Sequence, residues 1–132
     1  MRRIVGALAI AAAAAAGCSD QGPVAGELSV HLETARPDNR AVLFKVVGKV
    51  RGVTAGTGTG YRVLSDTSAT GDTAWVAVVA PQGTGLAPGE IARLTVPDTR
   101  KAGSYEISLT EAAATDYSAG IFSGIILTVV KP

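Results

Sequence analysis

Glu27-Leu28-Ser29-Val30-His31-Leu32-Glu33 alternates apolar and polar side chains without a fault, and this alternation decides the fold class. Successive side chains of an extended strand point to opposite faces, so Leu28, Val30 and Leu32 share one face. Glu27, Ser29, His31 and Glu33 share the other. A helix would scatter these residues around its circumference. The stretch reads as a strand with one face in a core and the other toward water.

The same device recurs downstream. Residues 34–40, with Pro37-Asp38-Asn39, read as a turn, and residues 41–47 as an apolar, β-branched strand. Gly48 marks a bulge or break. Residues 49–54 read as a strand and 55–60 as a Gly-Thr loop; a further strand at 61–65 places Tyr61 and Val63 on one face. Residues 66–73 form a polar turn region. Residues 74–80 are apolar throughout, which predicts a central strand covered on both sides with Trp75 in the core.

Three glycines and two prolines make 81–90 a loop. Residues 91–96 then alternate Ala92, Leu94 and Val96 against Arg93 and Thr95, and Pro97-Asp98 ends that strand. Residues 104–111 turn Tyr105, Ile107 and Leu109 inward. Residues 112–123 read as an irregular loop, and 124–131 as a closing strand with Ile125, Leu127 and Val129 on one face. About eight short strands without helical periodicity predict an all-β fold over residues 27–132. The expected architecture is an antiparallel two-sheet sandwich, Ig-like or jelly-roll-like, and a closed barrel shares the same alternation.

Upstream of the strands the chain changes character. Arg2 and Arg3 precede an apolar and small-residue run from Ile4 to Gly17, the pattern of a secretion signal. The run is shorter than the roughly 20 residues a membrane-spanning helix needs. Ala14-Ala15-Ala16-Gly17-Cys18 resembles the lipobox of bacterial lipoproteins, in which small residues lead to an obligatory cysteine. Ala15 occupies the place where such signals usually carry Leu. The resemblance implies cleavage between Gly17 and Cys18 and diacylglyceryl on the Cys18 sulfur, so that the membrane is a partner through lipid. The alternative is an ordinary signal cut after an Ala-x-Ala triplet, leaving Cys18 as a free thiol.

Residues 1–17 are thus expected to be a lipoprotein signal peptide, and 18–26 the lipidated cysteine with a short polar tether. Ser19, rather than Asp, follows the cysteine. The expected address is the cell envelope: the outer membrane in a double-membraned bacterium, otherwise the outer face of the plasma membrane. Cys18 is the only cysteine, so no internal disulfide can form.

From Cys18 onward 10 basic side chains face 11 acidic ones, which gives nucleic acid no electrostatic footprint. Arg36, Arg40, Lys45, Lys49 and Arg51 form a locally basic stretch that could touch anionic lipid, but spacing along strands and a loop predicts solvated heads over apolar stems. His31 is the only histidine, and with Glu33 it provides two of the three or four ligands that zinc requires. No Gly-x-Ser-x-Gly elbow accompanies it. Asp66, Asp72, Asp98 and Asp116 fall at predicted turns, where aspartate serves local hydrogen bonding. Gly56-Thr57-Gly58-Thr59-Gly60 lacks the Lys-Ser or Lys-Thr of a phosphate loop and precedes a strand. Phe44, Tyr61, Trp75 and Tyr105 read as core, leaving Tyr117 and Phe122 as loop aromatics. No catalytic residue, metal site or cofactor is assigned.

Ala74-Trp75-Val76-Ala77-Val78-Val79, Gly89-Glu90-Ile91-Ala92-Arg93-Leu94-Thr95-Val96 and Ala102-Gly103-Ser104-Tyr105-Glu106-Ile107 resemble segments of cohesins and related carbohydrate-binding sandwiches. Residues 41–53 depart from that pattern by lacking its Tyr-Asp-Pro turn, and no partner-binding residue is carried over. The resemblance implies a sandwich whose outer sheet face or loop tips contact a protein or a glycan. A small envelope enzyme and an accessory lipoprotein without its own ligand are the alternatives.

Overall fold

The computed structural model describes residues 22–33, 39–114 and 125–132. Gly17, Cys18 and the rest of the expected signal lie outside the described residues, as do Asp116, Tyr117, Phe122 and residues 34–38 of the turn expected at 34–40, whose last two residues belong to a strand instead. The eight strands are β1 (Gly26–Glu33), β2 (Asn39–Val47), β3 (Gly52–Ala55), β4 (Arg62–Thr67), β5 (Thr73–Val79), β6 (Gly89–Val96), β7 (Glu106–Ala114) and β8 (Ile126–Val130). They form two four-stranded sheets, β3-β6-β1-β8 and β4-β5-β2-β7, called sheet A and sheet B below. Every ladder is antiparallel. Early strands pair with late ones, β1 with β8, β2 with β7, β3 with β6, and β4 with β5. The chain is therefore a doubled ribbon wound across both sheets, the winding of a jelly roll.

Each sheet turns one side of its pleat inward. Leu28, Val30 and Leu32 of β1 and Leu94 and Val96 of β6 meet Val42, Phe44 and Val46 of β2 and Ala74, Val76 and Val78 of β5, all buried. Ile107, Leu109, Ile125, Leu127 and Val129 close the flanks, and Tyr61 and Tyr105 lie partly buried against the same core. The core among the described residues draws on side chains between Leu28 and Val129, so residues 19–132 contain all of it. Burial of this apolar area is the main stabilising term, at about 25 cal/mol per Å².

Three register shifts interrupt the described ladders, one leaving Arg40 extra on β2 between Asn39 and Ala41, the other two being bulges on β6 and β7. On β6, Val30 pairs with Ala92 and His31 with Glu90, leaving Ile91 as an extra residue, so Ile91 and Ala92 are buried in succession. On β7, Leu43 pairs with Glu111 and Phe44 with Leu109, leaving Thr110 as the extra residue. The inward parity then passes from Leu109 to Ala112, and the strand continues to Ala114 where the alternation predicts a loop. Residues 99–104 form a 3-10 helix, capped by the Asp98 carboxylate, where the sequence pattern suggests only a turn.

Gly48 ends β2 at φ +146°, and a Cβ there would overlap the Tyr105 ring. The Tyr105 hydroxyl donates to the Lys49 carbonyl, which fixes this corner against the 3-10 helix. Strand β1 begins at Gly26, and Val24 is already held: its N–H donates to Asp98 Oδ1 at 3.2 Å and its carbonyl accepts from the Thr99 N–H at 2.7 Å.

Candidate partner-binding face

The outward sides of the two sheets differ in chemistry. On sheet A the register brings Ser29 beside Arg93 and His31 beside Glu90. Ser29 is fully buried beneath these side chains although it points away from the core, and its hydroxyl donates to Glu90 Oε2. Arg93 Nε donates to Glu90 Oε1 at 2.8 Å and its guanidinium lies 3.6 Å from Glu27. The Thr57 N–H reaches Glu90 Oε1 at 2.9 Å and ties the Gly-Thr loop to the same carboxylate. The Arg93 hydrogen bond above all, helped by Ser29 and the Thr57 amide, lowers the Glu90 carboxyl to about 2 against the opposing effect of burial. The outer side of sheet A carries this polar network across β1 and β6, with Ile126 and Val130 of β8, 53% and 39% exposed, beside it.

On sheet B the outward apolar side chains extend across the two interior strands, β5 and β2. Along β5 the inward residues are Ala74, Val76 and Val78, so Thr73, Trp75, Ala77 and Val79 face outward. Trp75 is 42% exposed, which corrects its assignment to the core. Strand β5 is interior to its sheet, flanked by β4 and β2, but only one face of that sheet meets another layer. An unbroken apolar run marks a strand with two apolar sides, and the outer one here has no covering element among the described residues.

The rows across this face follow from register. Trp75 lies between Asp66 on β4 and Lys45 on β2, with the Lys45 ammonium 5.5 Å from the ring centroid. The next row is Leu64, Ala77, Leu43 and Glu111, with Leu64 56% exposed. The third is Arg62, Val79, Ala41 and Ala113. The small side chains of Ala41, Ala77 and Ala113 leave a shallow depression of about 130 Å³ beside Leu43 and Glu111. Trp75 and Leu64 rise at its border, and Asp66, Lys45, Arg62 and Glu111 supply charge around it. The arrangement offers a flat apolar surface with one aromatic anchor and a polar rim, the anatomy of a protein-binding patch.

The other residues singled out from the sequence are not brought together. His31 lies on the outer side of sheet A. Asp66 is in strand β4 rather than a turn, which corrects its assignment, since β4 extends to Thr67. Asp72 ends the β4–β5 turn, where Lys49 Nζ at 3.1 Å and hydrogen bonding lower its pKa. Asp98 caps the 3-10 helix, and Arg100, the Val24 N–H and the Arg100 N–H lower it to about 2. Among the described residues no group of three or more His, Cys, Asp or Glu stands close enough to hold a metal ion. The basic stretch divides: Arg40 donates from Nε to the Ala80 carbonyl, Lys45 lies over Trp75, and Lys49 and Arg51 occupy the β2–β3 loop. Arg36 lies outside the described residues. No helix among the described residues is long and apolar enough to cross a membrane.

No protein-family model matches the chain, and neither curated proteins nor solved structures yield a match.

Proposed function

We propose that this chain is an envelope lipoprotein, anchored through lipid on Cys18, that uses the outer face of sheet B to bind a protein partner at the membrane surface. The observation that carries the binding reading is Trp75, exposed beside the apolar rows of Leu64, Ala77, Leu43 and Val79 within a charged rim, while the interior strands of sheet A carry a polar network outside. Exposed tryptophan within an apolar patch is the residue type most often decisive in protein interfaces. A protein is favoured over a glycan because the face offers one aromatic platform among alanine, leucine and valine, with few hydroxyl or amide groups to meet a sugar. The likeness to cohesin-type sandwiches supplies an analogy of fold, which does not by itself assign a partner.

The anchoring half of the reading rests on the lipobox resemblance at Ala14-Ala15-Ala16-Gly17-Cys18. It puts the domain in the cell envelope, on the outer membrane in a double-membraned organism and on the outer face of the plasma membrane otherwise. Two acyl chains suffice for stable attachment.

The test uses residues 19–132 as bait on solubilised envelope. The expected result is one saturable protein ligand whose affinity falls at least about tenfold in Trp75→Ala and is kept in Glu33→Ala on sheet A. Equal affinity in both variants, or binding confined to a glycan array, overturns the protein reading. Acyl mass on the Cys18 peptide, and its loss with retained precursor in Cys18→Ala, tests the anchor separately.

A further inference from the structure

The described loops at the two ends of the sandwich differ in charge. Strand directions set Gly26, Val47, Thr73, Val96 and Glu106 at one end, where Val24 enters, and Glu33, Val79, Gly89 and Ala114 at the other. The described loops of the far end, residues 56–61 and 80–88, contain no charged side chain. At the end where the chain enters, the loops and the C-terminal segment carry Lys49, Arg51, Arg100, Lys101 and Lys131 against Asp72 and Asp98, with Glu27 and Glu106 at the adjoining strand starts and Glu27 facing Arg93. Lys49 is bridged to Asp72 and Arg100 to Asp98. Arg51, Lys101 and Lys131 have no ion-pair partner among the described residues. A cleft of about 710 Å³ opens between the β2–β3 loop and the 3-10 helix, lined in part by the bridged Lys49 and Asp72, by Asp98, Arg51, Lys101 and Tyr105.

Cys18 precedes Gly22, the first described residue, by four positions, a span of at most about 14 Å when fully extended. Val24 is fixed to Asp98 and Thr99, so the entry point cannot swing to another part of the surface without breaking those hydrogen bonds. A lipid on Cys18 therefore holds the entry segment at Gly22 within about 14 Å of the anchored residue, so this is the end turned toward the headgroups.

From this geometry we infer that the tether end is a docking surface for anionic phospholipid, with Arg51 and Lys101 at the cleft mouth taking headgroup phosphates. The domain is thereby seated upright, with the loops at 56–61 and 80–88 directed away from the bilayer and the Trp75 face standing lateral and free. The inference rests on the reading of Cys18 as the anchor. Basic side chains beside an anionic leaflet each contribute about fivefold to partitioning, and the effect is screened by salt.

The test is co-sedimentation of residues 19–132 with vesicles of phosphatidylglycerol in phosphatidylcholine and with phosphatidylcholine alone. The expected result is salt-sensitive binding to the anionic vesicles only, reduced at least about tenfold in the Arg51→Glu, Lys101→Glu double variant and unchanged in Arg62→Glu at the far end. Binding to neither vesicle, equal binding to both, or an equal loss in Arg62→Glu overturns the surface. Release by inorganic phosphate at an ionic strength where sodium chloride does not release the protein overturns it in favour of a small-anion site. Absence of acyl mass on Cys18 in the full chain removes the anchor instead, a failure that the vesicle assay does not share.

Discussion

Lys45 and Trp75 are directly paired across β2 and β5, with the Lys45 ammonium 5.5 Å from the indole centroid on the outer side of sheet B. The pair fixes the most exposed aromatic surface of the described residues and lends it a cationic border. Because Trp75 is the only tryptophan, its fluorescence reports this face alone. Acrylamide is expected to quench the free domain efficiently, and a bound partner to shield it. Trp75→Ala is expected to cost stability of only about 1 kcal/mol, since the ring contributes a cation–π contact and no core volume. A loss of several kcal/mol in a denaturant melt would place the ring in the core after all.

Glu90 joins two strands and a loop through Ser29, Arg93 and Thr57. Its folded pKa, about 2, lies below the ordinary 4.5, so the unfolded chain takes up a proton first as pH falls. The stability contributed by this carboxylate is fully present above about pH 4.5 and is lost progressively toward pH 2. Glu90→Gln is expected to destabilise by about 1 to 3 kcal/mol at neutral pH and to flatten this acid limb. Urea melts across the acid range, compared between the two proteins, measure both effects.

Gly48 and Tyr105 form a corner in which neither residue can be changed freely. A side chain at Gly48 meets the Tyr105 ring and would have to adopt φ +146°. Gly48→Ala is expected to cost about 1 to 3 kcal/mol, and Tyr105→Phe, which keeps the ring and loses the hydrogen bond to the Lys49 carbonyl, about 1 kcal/mol. The order of thermal midpoints is the check: Gly48→Ala should melt below Tyr105→Phe.

Asp98 accepts from Val24 as well as from its own 3-10 helix. Asp98→Ala is expected to speed hydrogen exchange at the amides of Val24 and Arg100 while β1 amides such as Val30 keep their protection. Unchanged exchange at Val24 would show that the entry segment is held by other contacts.

Much of this fold is readable from alternation, and the exceptions have definite causes. Leu28, Val30 and Leu32 fall where period two places them, as do Ile125, Leu127 and Val129. Ile91 and Thr110 break parity because a bulge adds one residue to one strand, and the sequence carries no local mark of the partner that sets it. Trp75 departs from expectation for a different reason. Apolar character on both sides of β5 looks the same whether the outer side meets a layer or water, and only the position of the sheet in the sandwich distinguishes them. The neighbouring signal is Lys45, a charged residue within an apolar strand, which marks the outward parity of β2. The polar network outside sheet A depends on Glu90 reaching Ser29 from 61 positions away, a contact that no local pattern encodes.

Strand β1 is interior to sheet A, held by β6 on one side and β8 on the other, and the N-terminal segment joins it at Gly26. Under a pull on that segment along the strand, the hydrogen bonds of both ladders share the load together and do not open one after another. Tension in that direction between the chain's entry point and whatever grips the lateral face of sheet B would be resisted in shear, the direction in which a sheet yields last.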